Sequence, residues 1–215
     1  MDSKDRLSRI APLCGALFVV LQLAGVAISS AGGRSMATIS DSKSKIVDSF
    51  SHQISAGYWA GAYLEFASVA AFALFAVWMF RERRGPLATA GLLTAAVYVA
   101  ITIAALVVGD AIAYGSGHGL ATQPLLALFY LQCGLFFATW GIAAAFLVLA
   151  PAAGWMRRTA IVTAALLVLA LALPQGGPSQ FPNMLFLIWT LAASISMMRR
   201  PAGSPSRVPA GATAT

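Results

Sequence analysis

Four polar side chains stand inside otherwise apolar runs of the sequence and are the first candidates for chemistry. They are Glu65, Asp110, Gln22 and Gln132. A charged or amide side chain is costly in hydrocarbon, so inside a membrane span it indicates a functional site or a helix contact. The carboxyl of Glu65 must be protonated, hydrogen-bonded to a neighbour such as Gln22 or Gln132, or reached by water.

Small residues share the predicted helix face of Glu65. At about 100° per residue, one side carries Gly57, Gly61, Glu65, Ser68 and Phe72, and the other carries Leu64, Val69, Leu74 and Phe75. Small residues let helix backbones approach closely in lipid. We therefore expect the Glu65 face to point at other helices. A similar stripe contains Gly134 and Gly141, and both glycine pairs are predicted helix-packing positions.

Two functions fit these residues. The first is a structural protein, or one accessory to a membrane partner, in which buried polar groups only join helices. The second is a small carrier or sensor that uses the polar layer around Glu65. A carrier would use its small-residue stripes within one chain around a cavity. An accessory protein would present them to lipid, where a membrane-protein partner or a second copy could bind.

Composition assigns the chain to a membrane. Of its 215 residues 59% are hydrophobic and 10% charged, whereas soluble domains carry about 25% charged residues. The net charge of +7 comes from short basic clusters between apolar runs. No basic patch is interleaved with aromatic residues, which argues against a nucleic-acid partner. The expected partner is the lipid bilayer.

Six apolar runs predict an all-α integral membrane bundle of six transmembrane helices. The runs cover residues 10–30, 58–80, 87–114, 125–150, 159–173 and 183–198. The last two contain only 15 and 16 residues, which at about 1.5 Å per residue is shorter than a bilayer core of about 30 Å. The first run exceeds the apolar core of about 7–15 residues in a signal peptide, so we expect it to stay attached.

The segments outside these runs have separate predictions. Residues 1–9 form a polar N-terminus, and residues 199–215 form a Pro- and Gly-rich tail that we expect to be disordered. The loop of residues 31–56 contains apolar residues at helical spacing after Ser40 and Asp41, which predicts a short amphipathic helix. This helix either lies on the membrane surface or packs on the bundle.

The basic residues predict an orientation. Eleven of the 14 Lys and Arg residues lie on one side of the six runs. The positive-inside rule then places both termini in the cytoplasm of a bacterium, with the chain in the plasma membrane. In this orientation Gln22, Glu65 and Gln132 lie roughly 12 Å below the outer surface and Asp110 about 6 Å below it. Tyr58 fits an outer aromatic belt.

Motifs for catalysis or cofactor binding are missing from the sequence. No HExxH, GxSxG or Gly-rich phosphate loop is present, so we predict no enzyme activity and no cofactor. His52 and His118 fall in outer loops and do not make a metal site. Cys14 and Cys133 lie in different apolar runs and are interpreted as small buried residues.

One stretch resembles a known pattern. It is SDSKSKIVDSFSHQISAGYWAGAYLEFASVAAFALFAVWMFRERR, beginning at Ser40. It is similar to uncharacterised multi-pass membrane proteins of actinobacterial type. In these an outer Asp- and Ser-rich segment and a short amphipathic helix precede a span that opens with Gly and Tyr and ends at basic residues. The resemblance covers about residues 10–85 and implies membrane location without a specific activity.

Overall fold

The computed structural model describes residues 12–33, 37–50, 54–81, 83–172 and 181–199, and all regular structure in these ranges is helical. The predicted all-α class is therefore confirmed. The seven helices are α1 (Leu13–Ala31), α2 (Lys43–Ser49), α3 (Ala56–Phe80), α4 (Pro86–Gly117), α5 (Thr122–Leu149), α6 (Gly154–Leu171) and α7 (Phe181–Met198). The predictions for the N-terminus, the tail beyond Arg199 and His52 lie outside the described residues.

Five of the described helices are long and apolar enough to cross a membrane, namely α1, α3, α4, α5 and α6, and α7 is a shorter apolar helix. By length and composition the chain is a multi-pass membrane protein. The structure begins α6 at Gly154, five residues before the predicted start, after an extended Ala153. This lengthens the fifth predicted span from 15 to 18 residues and places Arg157 inside the helix.

The five long helices and α7 form a closed ring in chain order. Each packs against the next, from α1 to α3, α4, α5, α6 and α7, and α7 returns to α1. A short connection between consecutive helices favours antiparallel neighbours, which explains most of this order. At one end of the ring lie the end of α1, the start of α3 and the loop that carries α2. We call it the α2 end, and the opposite one the Arg81 end.

Aromatic side chains fill the middle of the ring. The ring of Phe72 on α3 lies 5.1 Å from Phe18 of α1, 4.8 Å from Tyr98 of α4 and 5.2 Å from Phe146 of α5, centroid to centroid. Phe186 of α7 adds a fourth contact at 5.9 Å. Tilted and edge-on pairs at these distances are favourable. Five helices therefore meet in one aromatic cluster, made of these five residues.

Ser194 links α7, the last helix of the ring, to α1, the first. The start of α1 has no side-chain cap of its own, and the first four N–H groups of a helix lack partners within it. The buried Ser194 hydroxyl accepts from the Ala16 N–H at 3.1 Å and donates to the Pro12 carbonyl. A residue from α7 thus caps α1.

The face of α3 that carries Glu65 points into the bundle, with Gly61, Glu65 and Ser68 all buried. The side of α3 opposite Glu65 is exposed at some positions and buried at others. Leu74 is 60% exposed, but Val69 and Phe75 are buried. The reason is that α3 packs between α1 and α4 and so has two contact faces.

Candidate functional site

Glu65 lies at the contact between α1 and α3. It is 2% exposed, and its Oε1 accepts a hydrogen bond from the Ser29 hydroxyl at 3.0 Å. The backbones approach closely here because two glycines face each other, and a Cβ on Gly25 would lie 2.8 Å from the Gly61 carbonyl oxygen. The stripe of small residues therefore brings the serine of one helix to the carboxyl of the next.

Gln22 lies deeper on the same contact. Its Oε1 is 2.7 Å from the Ser68 hydroxyl, which also bonds the Glu65 carbonyl oxygen at 2.6 Å. Gln22 and Glu65 therefore share Ser68 as a neighbour. The side chain of Gln22 is partly exposed.

Gln132 and Asp110 belong to the other side of the ring. The Gln132 amide nitrogen donates to the Ala105 carbonyl of α4 at 3.3 Å and packs closely on Gly109. The carboxylate of Asp110 accepts from the Tyr58 hydroxyl at 3.0 Å. Tyr58 is 3% exposed, so it packs between helices and does not belong to an aromatic belt.

A cavity of about 360 Å³ connects most of these groups. Gln22, Glu65 and Gln132 line it together with Tyr58, while Asp110 is not among the lining residues. Its deep end includes Phe18 and Tyr98 of the aromatic cluster. Ligand sites in proteins commonly have volumes of about 300–1,000 Å³. The structure thus brings three of the four predicted polar residues to one space of ligand size.

Residues 37–39, 49, 50 and 54 line the α2 end of the cavity, with Thr38 and Phe50 in its wall. Helix α2 packs on the bundle through Ile46, which is 0% exposed and lies among Ile112, Leu125, Leu126 and Phe129. The apolar side of this helix therefore contacts the bundle through Ile46. The helix begins at Lys43 with Ser42 as its cap, whereas Ser40 was the predicted start.

A polar turn precedes α2. Asp41 accepts hydrogen bonds from Lys45 Nζ at 2.6 Å and from the Thr38 backbone N–H at 2.7 Å. The Lys45 hydrogen bond, and then that of the Thr38 N–H, lower the pKa of Asp41 from its usual value. The ionised carboxylate therefore helps to hold the turn over the cavity.

The four predicted packing glycines fall into two classes. A Cβ added to Gly61 would overlap the backbone of Gly25 and Ser29, and one on Gly57 would lie 3.6 Å from the Gly32 Cα. On α5, a Cβ at Gly134 would meet nothing within 4 Å among the described residues, and at Gly141 only Leu171, at 3.8 Å. The α3 stripe is used inside the chain, whereas Gly134 faces outward.

The histidines and cysteines bring no further cluster to the site. His118 stacks on Tyr114 at 4.0 Å, outside the cavity lining. Within the described residues no group of three or more His, Cys, Asp or Glu could hold a metal ion. Both cysteines are free, and Cys133 lines the cavity.

Sequence reasoning missed the aromatic part of the site. Phe136, Phe137 and Trp140 line the cavity from α5, but in the sequence they are three of many apolar residues in a long run. The sequence did contain one weak indication that Trp140 lies near the polar layer. It follows Gln132 at a spacing of eight residues, close to the same helix face.

Comparison of the chain with protein-family models, with curated proteins and with solved structures finds no match. The interpretation of the cavity therefore depends on its own residues.

Proposed function

We propose that this protein of a bacterial plasma membrane binds a small molecule in its cavity and acts as a carrier or a sensor. The observation that supports this is the cavity wall to which α1, α3 and α5 each contribute a polar side chain, namely Gln22, Glu65 and Gln132. Buried polar groups that only pair helices need no such space. The stripe of Gly57 and Gly61 is used around the cavity within one chain, as expected for a carrier or sensor.

The membrane arrangement that goes with this function has six spans with both termini in the cytoplasm. In its support, α7 is apolar and packs between α6 and α1 as part of the ring. Eleven of 14 basic residues lie at the N-terminus, the C-terminus or the Arg81 end, which is the cytoplasmic side by the positive-inside rule. The cavity would then lie in the outer half of the membrane.

The test is to fill the cavity and ask whether a bound molecule is lost. Cys133→Phe adds bulk to the cavity wall, and Leu131→Phe adds a ring two residues away on a side chain that is 52% exposed. Native mass spectrometry of the purified proteins should detect a small molecule on the parent and on Leu131→Phe. It should be absent from Cys133→Phe. Equal spectra for all three folded proteins would contradict a ligand-binding function.

An accessory role is the second candidate, supported by the outward position of Gly134. Neighbouring small residues on α5 are exposed with it, including Ala138 and Ala145. Such a surface suits close helix contact with a membrane-protein partner or a second copy. Oxidative cross-linking of Gly134→Cys in membranes should give a dimer if the contact is between copies, and monomer alone would contradict that contact.

A further inference from the structure

One tryptophan in the cavity wall has an unused hydrogen-bond donor. Trp140 is 4% exposed and lines the cavity. Within the described part of the chain, its indole N–H makes no hydrogen bond. Buried polar groups are almost always paired, and tryptophan N–H usually finds a partner when it is buried. Trp140 is therefore an exception that needs an explanation.

Another tryptophan of the same chain follows the usual pattern. Trp189 on α7 is equally buried, at 4% exposure, and its N–H donates to the Met156 carbonyl at 3.1 Å. Trp189 does not line the cavity. The unpaired indole therefore belongs to the tryptophan that borders the cavity.

We infer that the cavity takes an uncharged ring compound that carries a carbonyl-type hydrogen-bond acceptor for the Trp140 N–H. This inference rests on the proposed ligand-binding function and specifies its ligand class. The preference for a ring compound follows from the aromatic side chains of the wall. Phe137 lies edge-on to Trp140 at 5.8 Å, and Tyr98 lines the deep end. Aromatic walls favour a planar apolar body, and the Trp140 N–H places the acceptor.

The residues that line the cavity argue against a charged ligand. Among the described residues no Lys, Arg or His lines the cavity, so an anionic ligand would have no counter-charge there, and an unpaired charge is costly at membrane depth. An ammonium group could face the Glu65 carboxyl in the wall. It would supply only donors, however, and these do not satisfy an indole N–H, since tryptophan can only donate. A neutral carbonyl compound meets both conditions.

Two probes that differ by one carbonyl test the inference, namely 1-tetralone and tetralin. Cys133 serves as the reporter because it lines the cavity, and Cys14→Ser removes the other thiol. The labelling rate of Cys133 with N-ethylmaleimide is measured in nanodiscs against probe concentration. The melting temperature with each probe is a second readout that does not depend on the thiol. Both probes are dosed by their concentration in the lipid.

In the Cys14→Ser protein, we expect 1-tetralone to protect Cys133 and raise the melting temperature at about tenfold lower concentration than tetralin, the scale of one hydrogen bond. Trp140→Phe keeps a ring but removes the N–H, and should reduce this preference to about twofold or less. Trp189→Phe is the matched control, which loses a satisfied N–H outside the cavity and should keep the tenfold preference.

The outcomes separate the two proposals. Equal binding of both probes, or an unchanged preference in Trp140→Phe, would overturn the ligand class but leave a ligand-binding cavity. If neither probe alters labelling or melting up to saturation of the lipid, the cavity does not take this class. The loss of a copurified molecule in Cys133→Phe would then still support the proposed function. A failure of both experiments would remove the two proposals together.

Discussion

At the scale of single residues, the pairing of Glu65 with Ser29 decides what a substitution should do. The Ser29 hydroxyl reaches Glu65 Oε1 at 3.0 Å and the Val26 carbonyl at 3.2 Å. It therefore has an alternative acceptor on its own helix if the carboxyl is removed. This limits the cost of losing the interhelical bond, and makes Glu65 a residue whose contributions to stability and function can be separated.

We predict that Glu65→Gln leaves stability in detergent nearly unchanged, because the amide oxygen can still accept from Ser29. Glu65→Leu should lower the free energy of unfolding by about 1 kcal/mol, the scale of an interhelical hydrogen bond in membranes. Thermal unfolding of both variants beside the parent measures this. If the protein couples uptake to protons or cations, Glu65→Gln should spare folding and abolish that uptake. A Glu65→Leu protein as stable as its parent would show that the bond contributes nothing.

At the scale of elements, the two glycine stripes have opposite surroundings although they look alike in the sequence. The α3 stripe lies against the backbone of α1, while Gly134 of α5 faces away from the ring. Each helix of the ring packs mainly against its two neighbours, so every one of them also has an outward face. Glycines at helical spacing therefore form a helix contact on α3, whereas Gly134 of α5 has no neighbour within 4 Å of an added Cβ among the described residues.

This contrast predicts opposite effects of one substitution at two sites. Gly61→Ala should destabilise the protein by roughly 1–3 kcal/mol, because the new methyl group must push apart two backbones. Gly134→Ala has open space and should be neutral or stabilising by up to about 1 kcal/mol, the helix preference for alanine. Melting temperatures of the two variants measure the difference. Equal losses would mean that the close approach of α1 and α3 is not limiting.

The sequence predicted the helical class and the inward face of Glu65, because apolar length and helical periodicity are local properties. It did not identify which stripe meets another helix, since that depends on the order of helices around the ring. The pairing of Tyr58 with Asp110 and the cavity position of Trp140 were missed for the same reason. They arise where α3 meets α4 and where α5 faces the interior, and both depend on how the helices are arranged around the ring.

At the scale of the whole molecule, helix length and charge distribution bear on topology separately. Helix length concerns how far each helix extends beyond the bilayer, and the charges concern which side faces the cytoplasm. Helix α4 has 32 residues, about 48 Å at 1.5 Å per residue, and so exceeds a bilayer core of about 30 Å. Its excess lies in part at the α2 end, where Ile112 belongs to the cluster that holds α2. Helix α2 thus rests on the last turns of α4 and the first turns of α5.

We predict that the α2 end faces outward. In a protein without Cys14 and Cys133, a membrane-impermeant thiol reagent added to intact cells should label Gly117→Cys, at the exposed end of α4. It should not label Arg84→Cys at the Arg81 end until the cells are opened. Labelling of Arg84→Cys in intact cells would reverse the orientation derived from the basic residues.

The contact of Ser194 with the start of α1 has a consequence for biogenesis. The ring cannot close until α7 has left the ribosome, roughly 160 residues after α1, which at about 5–20 residues per second takes on the order of ten seconds. During that time the first turn of α1 lacks its cap, and the wall that α7 completes is open to lipid or to a membrane chaperone. Chains that stop before α7 would therefore lack the side of the cavity to which α7 contributes Asn183, Met184 and Leu187.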